Sequence, residues 1–398
     1  MKVVVIADDL SGAAELATAA ANLGHRCEVQ THFDPATGAD LIALDTNTRL
    51  LPPSAAAQIV GDVTREIGRS APDWIYKKTD SVLRGNVRAE IEAVMAVAGL
   101  TTALLISANP SKGRVVRKGM YYIDGIPLAQ TAFAADPWHP RRSSDVLELL
   151  GATGSAQIVQ SSDLQDEKIT GIAVPDVEDL EDFKTHAANL ASKTLPAGGV
   201  DFFSALVEKR CGDFAHDAGL HSPELPKPVF FVCGSHAAWQ QGRHAQCRSA
   251  GVPVLSMPRA SFSSSDAQAI EEWSREIEQV LCSDKCAMAA IGSMNEADRE
   301  SQPSALTDRF IEAIALLLRR NPPATICVEG GATAAALFCR MEWTRLQAFP
   351  APHFPGVSIL QSPSPHAPRA LIKPGSYPWP ELLWRSLQIS TVSKLQSQ

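Results

Sequence analysis

Short apolar runs that stop at polar clusters and give way to helical periodicity recur along this chain, and that recurrence restricts its fold more than any other feature. Val3 to Ala7 is continuous and apolar, as in a strand covered on both faces, and it ends at Asp8-Asp9. Leu16, Ala17, Ala20 and Leu23 follow at helical intervals, with Gly24 as the stop. Leu41 to Leu44 leads into Asp45-Thr-Asn-Thr-Arg49, and Leu104 to Ser107 into Asn109, Lys112 and Arg114. Trp74 to Tyr76 leads into Lys77, Lys78, Thr79, Asp80, Ser81 and Arg84, before a predicted helix over Val87 to Ala98. Repetition of strand, polar loop and helix predicts an α/β fold with largely parallel sheets flanked by helices. Ligands of such sheets gather at the carboxyl ends of the strands, where the first amides of the next helix converge.

The densest chemistry at that edge lies between Tyr76 and Glu90. Lys78 and Arg84 suit an anionic group, the guanidinium as a bidentate clamp on a carboxylate or phosphate. Asp80 can take a proton from a hydroxyl. A solvated loop with incidental charges is the plain alternative. Asp8 and Asp9 suit polyol hydroxyls, a metal or proton abstraction, and equally the capping of a helix from Leu10 to Leu23, which needs one aspartate. Val115 to Pro127 alternates and turns like a hairpin crossing the same edge, in a position to act as a lid. Asp136-Pro-Trp-His-Pro140 reads as a rigid loop whose lone histidine, His139, reads as a surface residue.

A chain of 398 residues exceeds what one hydrophobic core usually organises. The proline-rich polar stretch Leu220 to Pro228 has linker composition, which predicts domains over 1–225 and 226–388 and a loose tail over 389–398. In the second domain Val229 to Cys233 ends at Gly234-Ser235, Thr325 to Val328 at Glu329-Gly330-Gly331-Ala332-Thr333, and Leu371 to Lys373 at Pro374-Gly375. Three strand ends with glycine let a backbone approach phosphates closely and favour a nucleotide pocket. None is a Walker loop or a dinucleotide fingerprint.

A formal net charge of -8 argues against a nucleic-acid surface. The eight cysteines are scattered, as buried free thiols of a reducing compartment would be. Cys282 and Cys286 lack a second close pair, and Cys211, Asp213, His216 and Asp217 match no compact pattern, so no protein metal site is expected. The start of the chain lacks a signal-peptide pattern and no stretch is apolar enough to span a bilayer, so a cytoplasmic protein without membrane partners is expected. The oligomeric state stays open, a homo-oligomer included.

Ala7-Asp-Asp-Leu-Ser-Gly-Ala13, Asp45-Thr-Asn-Thr-Arg49, Lys77-Lys-Thr-Asp-Ser-Val-Leu-Arg-Gly-Asn86, Gly113-Arg114 with Gly119-Met-Tyr-Tyr-Ile-Asp-Gly-Ile-Pro-Leu128, Gly330-Gly-Ala-Thr333 and Lys373-Pro-Gly375 stand in an order that spans nearly the whole chain. With them the chain resembles the four-carbon acid sugar kinases, which phosphorylate tetronates and oxo-tetronates with ATP. The resemblance implies a sugar-acid-binding N-terminal domain and a nucleotide-binding C-terminal domain, with the active site in the interdomain cleft. It points to Ser235, Gly330, Gly331, Ala332, Thr333 and Gly375 around ATP and Mg²⁺. On the substrate side it implies Asp8, Asp9, Arg49, Lys78, Asp80, Arg84 and Arg114; from their chemistry we read Asp80, Asp9 and Arg84 as catalytic candidates and Asp8, Arg49, Lys78 and Arg114 as binding candidates. The chain departs from the family in carrying Ala332 where glutamate is usual, with Glu329 close by in sequence. Glu15 stands where aspartate is more usual, and Pro374 and Tyr377 replace serine and phenylalanine.

The expected activity is phosphorylation of a hydroxyl of threonate, erythronate or a 3-oxo-tetronate. The alternative is a kinase-derived module that binds a sugar acid without turnover. A dehydrogenase is disfavoured because Gly-x-Gly-x-x-Gly does not follow the first strand.

Overall fold

The computed structural model describes residues 2–136, 139–151, 156–159, 169–211, 225–234, 239, 242–262, 267–293, 303–375 and 378–387. The chain divides into two compact units, Met1–His216 and Asp217–Gln398. Among the described residues no helix is long and apolar enough to cross a membrane.

The first unit holds strands β1 (Val3–Ala7), β2 (Cys27–Gln30), β3 (Leu41–Asp45), β4 (Trp74–Lys78), β5 (Thr102–Ile106), β6 (Arg114–Arg117), β7 (Met120–Ile123), β8 (Ile126–Pro127), β9 (Ala156–Val159), β10 (Gly171–Pro175) and β11 (Thr194–Gly198). Eight of them form a wholly parallel run in the order β2-β3-β1-β4-β11-β5-β10-β9. β1 is fully apolar and buried along its length, the pattern of a strand covered on both faces. Its register pairs Ala7 with Asp45 and Ile6 with Lys77, so three polar stretches leave the sheet at one level. That level is the carboxyl edge of the sheet.

Two elements differ from the expectation. Lys77 and Lys78, expected in a loop, are the last residues of β4 and are buried. β11, which the sequence pattern does not predict, lies between β4 and β5. The expected hairpin exists as the antiparallel set β6-β7-β8. It is fastened on two sides: Val116 and Val177 exchange backbone hydrogen bonds at 2.9 Å, and the Tyr121 amide donates to the Ser144 carbonyl at 2.8 Å. Tyr121 is wholly buried. These anchors make it a wall of the edge.

The second unit holds β12 (Val229–Cys233), β13 (Val254–Ser256), β14 (Cys286–Ala290), β15 (Thr325–Glu329), β16 (Arg345–Phe349), β17 (Ser358–Gln361) and β18 (Arg369–Lys373). The order β13-β14-β12-β15-β18 is parallel, and β17 and β16 continue it antiparallel. Phe231, Cys233, Cys327 and Leu371 pack on one face with Trp379. Cys27, Cys233, Cys247, Cys286 and Cys327 are buried free thiols, as expected, and Cys282 and Cys339 are exposed.

Candidate functional site

Asp8 follows β1, Arg49 follows β3, and Asp80 and Arg84 follow β4, so the parallel register brings two aspartates and two arginines together. Arg49 donates through Nε and Nη2 to both oxygens of Asp8, at 2.7 and 2.9 Å, and through Nη1 to Asp9 Oδ2 at 2.7 Å. Arg84 grips Asp80 in the same bidentate way, Nε to Oδ1 at 3.1 Å and Nη2 to Oδ2 at 2.8 Å. Asp80 Oδ1 also accepts from the amides of Val82 and Arg84. The turn that permits this needs Gly85, whose φ is 83° and whose Cβ position would lie 3.2 Å from both Arg49 Cγ and Asp8 Oδ2.

Asp9 caps the Leu10–Asn22 helix through the Gly12 amide and also accepts from the Ser11 hydroxyl. The capping reading of the aspartate pair therefore holds: one carboxylate caps the helix and shares Arg49 with the other.

The lysines serve the same edge from within. Lys77 Nζ is 2.8 Å from Glu90 Oε2 and donates to the Lys78 carbonyl at 2.7 Å, while Glu90 Oε1 accepts from Thr48 Oγ1. Lys78 Nζ donates to the Thr79 carbonyl and lies 3.3 Å from Glu15 Oε2, whose other oxygen binds Lys112 at 2.5 Å. Arg114 donates to the Ser81 hydroxyl, and Tyr121 to the Ser81 carbonyl. Arg84 and Arg114 stand 5.6 and 5.7 Å from the centroid of the Phe133 ring, and Arg84 Nη1 reaches Asp136 at 3.1 Å. Phe133, Asp136, Glu15 and Glu90 were absent from the sequence-based site. The rigid loop starting at Asp136 was the available signal for one of them.

These pairings sort the carboxylates. Burial would raise Asp80, but Arg84 and then Arg49 outweigh it and hold the group well below the usual range. Burial likewise opposes Glu15, and Lys78 and Lys112 bring it down to about 2. Asp8 is also lowered, chiefly by Arg49 against its burial. Asp45 goes the other way: burial, then the negative charges of Asp9 and Asp8, push it up to about 7 despite the Asn47 amide. The arrangement can orient hydroxyls and balance a small anion. Asp80 is a poor proton acceptor at neutral pH.

In the second unit Gly330, at φ 96°, receives the chain from β15 and starts the Gly331–Arg340 helix, whose first amides have no side-chain cap. Thr333 is buried, and its Oγ1 would lie 2.6 Å from a Cβ at Gly234, so the ends of two strands meet there with room for a backbone only. Ala332 is exposed on the first turn, and Gly375 is half-buried past β18. Ser235 lies outside the described residues. Glu329 and Lys373 form a buried ion pair at 2.6 Å. Uncapped amides, a close backbone approach and paired charges suit a polyphosphate and its cation. Among the described residues no group of three or more His, Cys, Asp or Glu could hold a metal unaided.

Residues 3–203 match the family model of a sugar-binding N-terminal domain. A D-threonate kinase of Salmonella typhimurium is 32% identical over 176 residues, 44% of this chain and 41% of the relative. A D-erythronate kinase of Heliobacterium modesticaldum is 30% identical over 218 residues, 49% of this chain and 50% of the relative. The chain thus spans about half or less of the length of these two curated relatives. A crystal structure from Salmonella typhimurium LT2, of a protein provisionally called a tRNA synthase, shares the fold with a TM-score of 0.80 at 18% identity, covering 98% of this chain and 99% of that one.

Proposed function

The chain belongs to the family marked by a sugar-binding N-terminal domain, and from that premise we propose that it is an ATP-dependent kinase acting on a hydroxyl of a four-carbon sugar acid: threonate, erythronate or a 3-oxo-tetronate. The observation that carries this reading is the aspartate–arginine network at the strand ends of the matched segment, Asp8, Asp9 and Asp80 with Arg49 and Arg84. A network of fixed, ion-paired acceptors binds a polyol without reorganising, and phosphoryl transfer depends mainly on such positioning.

Asp9 would orient the attacking hydroxyl, its own geometry fixed by Arg49 and the Gly12 amide. Asp80, held ionised by Arg84, would accept from a neighbouring substrate hydroxyl. Lys78 and Arg114 would balance the substrate carboxylate. Magnesium ATP, when bound, supplies the phosphoryl group and neutralises charge developing on it. Ser235, Gly330, Gly331, Ala332, Thr333 and Gly375 would hold it. A cytoplasmic setting fits this reading and the buried free thiols.

The test is ADP release from magnesium ATP across a panel of both stereoisomers of threonate and erythronate and their 3-oxo forms. Turnover that depends on one of these acids is expected. Sugar-acid binding without turnover would favour the module reading, which the exposed Ala332 at the glycine turn motivates, and no binding of any acid would defeat both.

A further inference from the structure

Glu329 and Lys373 are Cα partners at the ends of neighbouring parallel strands. Both side chains are withdrawn from solvent, and Lys373 Nζ donates to Glu329 Oε1 at 2.6 Å. The ammonium also lies 3.3 Å from the Pro374 carbonyl oxygen and 5.1 Å from the centroid of the Trp379 ring. The other carboxylate oxygen, Glu329 Oε2, is buried with no hydrogen-bond partner. A buried acceptor left without a protein partner in this way costs about 1–3 kcal/mol, and more when the group is charged. Stability does not demand the arrangement, since apolar residues of similar volume often replace a buried ion pair at no loss. The orphan oxygen is an opening for something that arrives.

Its neighbours limit what that is. Directly after Glu329 come Gly330 and the uncapped amides of the Gly331–Arg340 helix, ten residues long, and such a helix start favours an anion. A carboxylate beside it repels a bare anion. Both features are satisfied together by an anion that carries its own cation. Magnesium in particular keeps several waters and is typically held by one or two carboxylates plus substrate phosphates, so a single protein carboxylate suffices.

We propose that Glu329 Oε2 is the protein's ligand, direct or through one water, for the divalent cation of a polyphosphate seated at the Gly330–Thr333 turn, with Lys373 fixing the carboxylate in place. This rests on the nucleotide reading of the second unit and adds the residue that meets the cation.

Calorimetry of the full chain with ATP, in EDTA and then in Mn²⁺, tests it, with electron paramagnetic resonance of the bound Mn²⁺ as a second readout. The wild type should bind ATP about tenfold or more tightly with the cation than without. Glu329→Gln should lose that gain while holding metal-free ATP within about threefold, and its Mn²⁺ spectrum should revert to that of MnATP in solution. Glu329→Asp, which keeps the charge and retracts the oxygen, should fall between. Should the glutamine variant fail to fold, the double variant Glu329→Gln with Lys373→Met removes the pair together and should show the same lost gain.

A glutamine variant that keeps the full cation-dependent gain, or that loses metal-free ATP equally, overturns the assignment. Wild-type affinity indifferent to the cation overturns it while leaving the nucleotide reading intact. No wild-type ATP binding under either condition defeats both.

Discussion

The two units place buried charges at the same kind of location, the carboxyl ends of parallel strands, and treat them differently. In the first, Asp80 is held by a bidentate guanidinium and two amides, Asp9 by Arg49, the Ser11 hydroxyl and the Gly12 amide, and both oxygens of Asp8 by Arg49. In the second, Glu329 has one ionic partner and an oxygen with none. A redundant network is complete before a ligand comes and suits a polyol. A single pair with an open acceptor is complete only with a charged ligand.

Removing single partners should expose that contrast. Glu329→Ala leaves the Lys373 ammonium buried without its carboxylate and should destabilise the second unit by about 3–5 kcal/mol. Replacing both residues by apolar ones of similar volume should recover most of it. Denaturant unfolding measures both, and a loss of under about 1 kcal/mol from the single variant would erase the distinction.

A pH series sharpens the account of the first unit. Asp45 sits at about 7 when folded against an ordinary value of 3.8. A raised acid opposes folding once ionised, so its penalty is absent below the unfolded value, grows as pH rises and is complete above the folded one. Asp45→Asn should therefore add about 2–4 kcal/mol of stability at pH 8 and under about 1 kcal/mol at pH 4. Glu15 has the opposite sign: lowered from 4.5 to about 2, it stabilises above its unfolded value and loses that contribution as pH falls through this window. Thermal unfolding of the Asn variant at both pH values checks the first sign. Equal shifts would contradict it.

Arg84→Ala should cost less than the loss of Glu329, about 1–3 kcal/mol, because Asp80 keeps the amides of residues 82 and 84 and Arg49 at 3.9 Å. A cost as large as that of Glu329→Ala would refute the redundancy. The smallest effect expected is that of Gly85→Ala, about 1–2 kcal/mol, from the positive φ and the contacts with Arg49 and Asp8. Chemical unfolding again reads it, and a neutral outcome would show that the turn relaxes.

The parallel sheets were legible because most central strands are short, apolar and closed by polar clusters. β11 was not, since Thr194-Leu-Pro-Ala-Gly198 carries a proline in its interior and a glycine at its end, a composition that argues against a central strand. The structure shows why glycine is required there: a Cβ at Gly198, where φ is 145°, would lie 1.8 Å from the Ile106 carbonyl oxygen. The residue types of the site were legible too, but their division of labour was not. Lys77 and Lys78 look like loop cations in sequence, yet the buried Glu90 and backbone carbonyls allow β4 to continue through them. Arg84 resembles a free clamp until Asp80, four residues earlier, folds back onto it. Such pairings depend on distances across the sheet that spacing along the chain does not encode.

The most direct test of the kinase assignment is phosphorus NMR of the purified chain with magnesium ATP and D-threonate or D-erythronate. A new phosphomonoester resonance on the acid should grow as the γ-phosphate signal of ATP declines and ADP accumulates. Unchanged ATP, or its conversion to inorganic phosphate alone with every four-carbon acid tried, would contradict it.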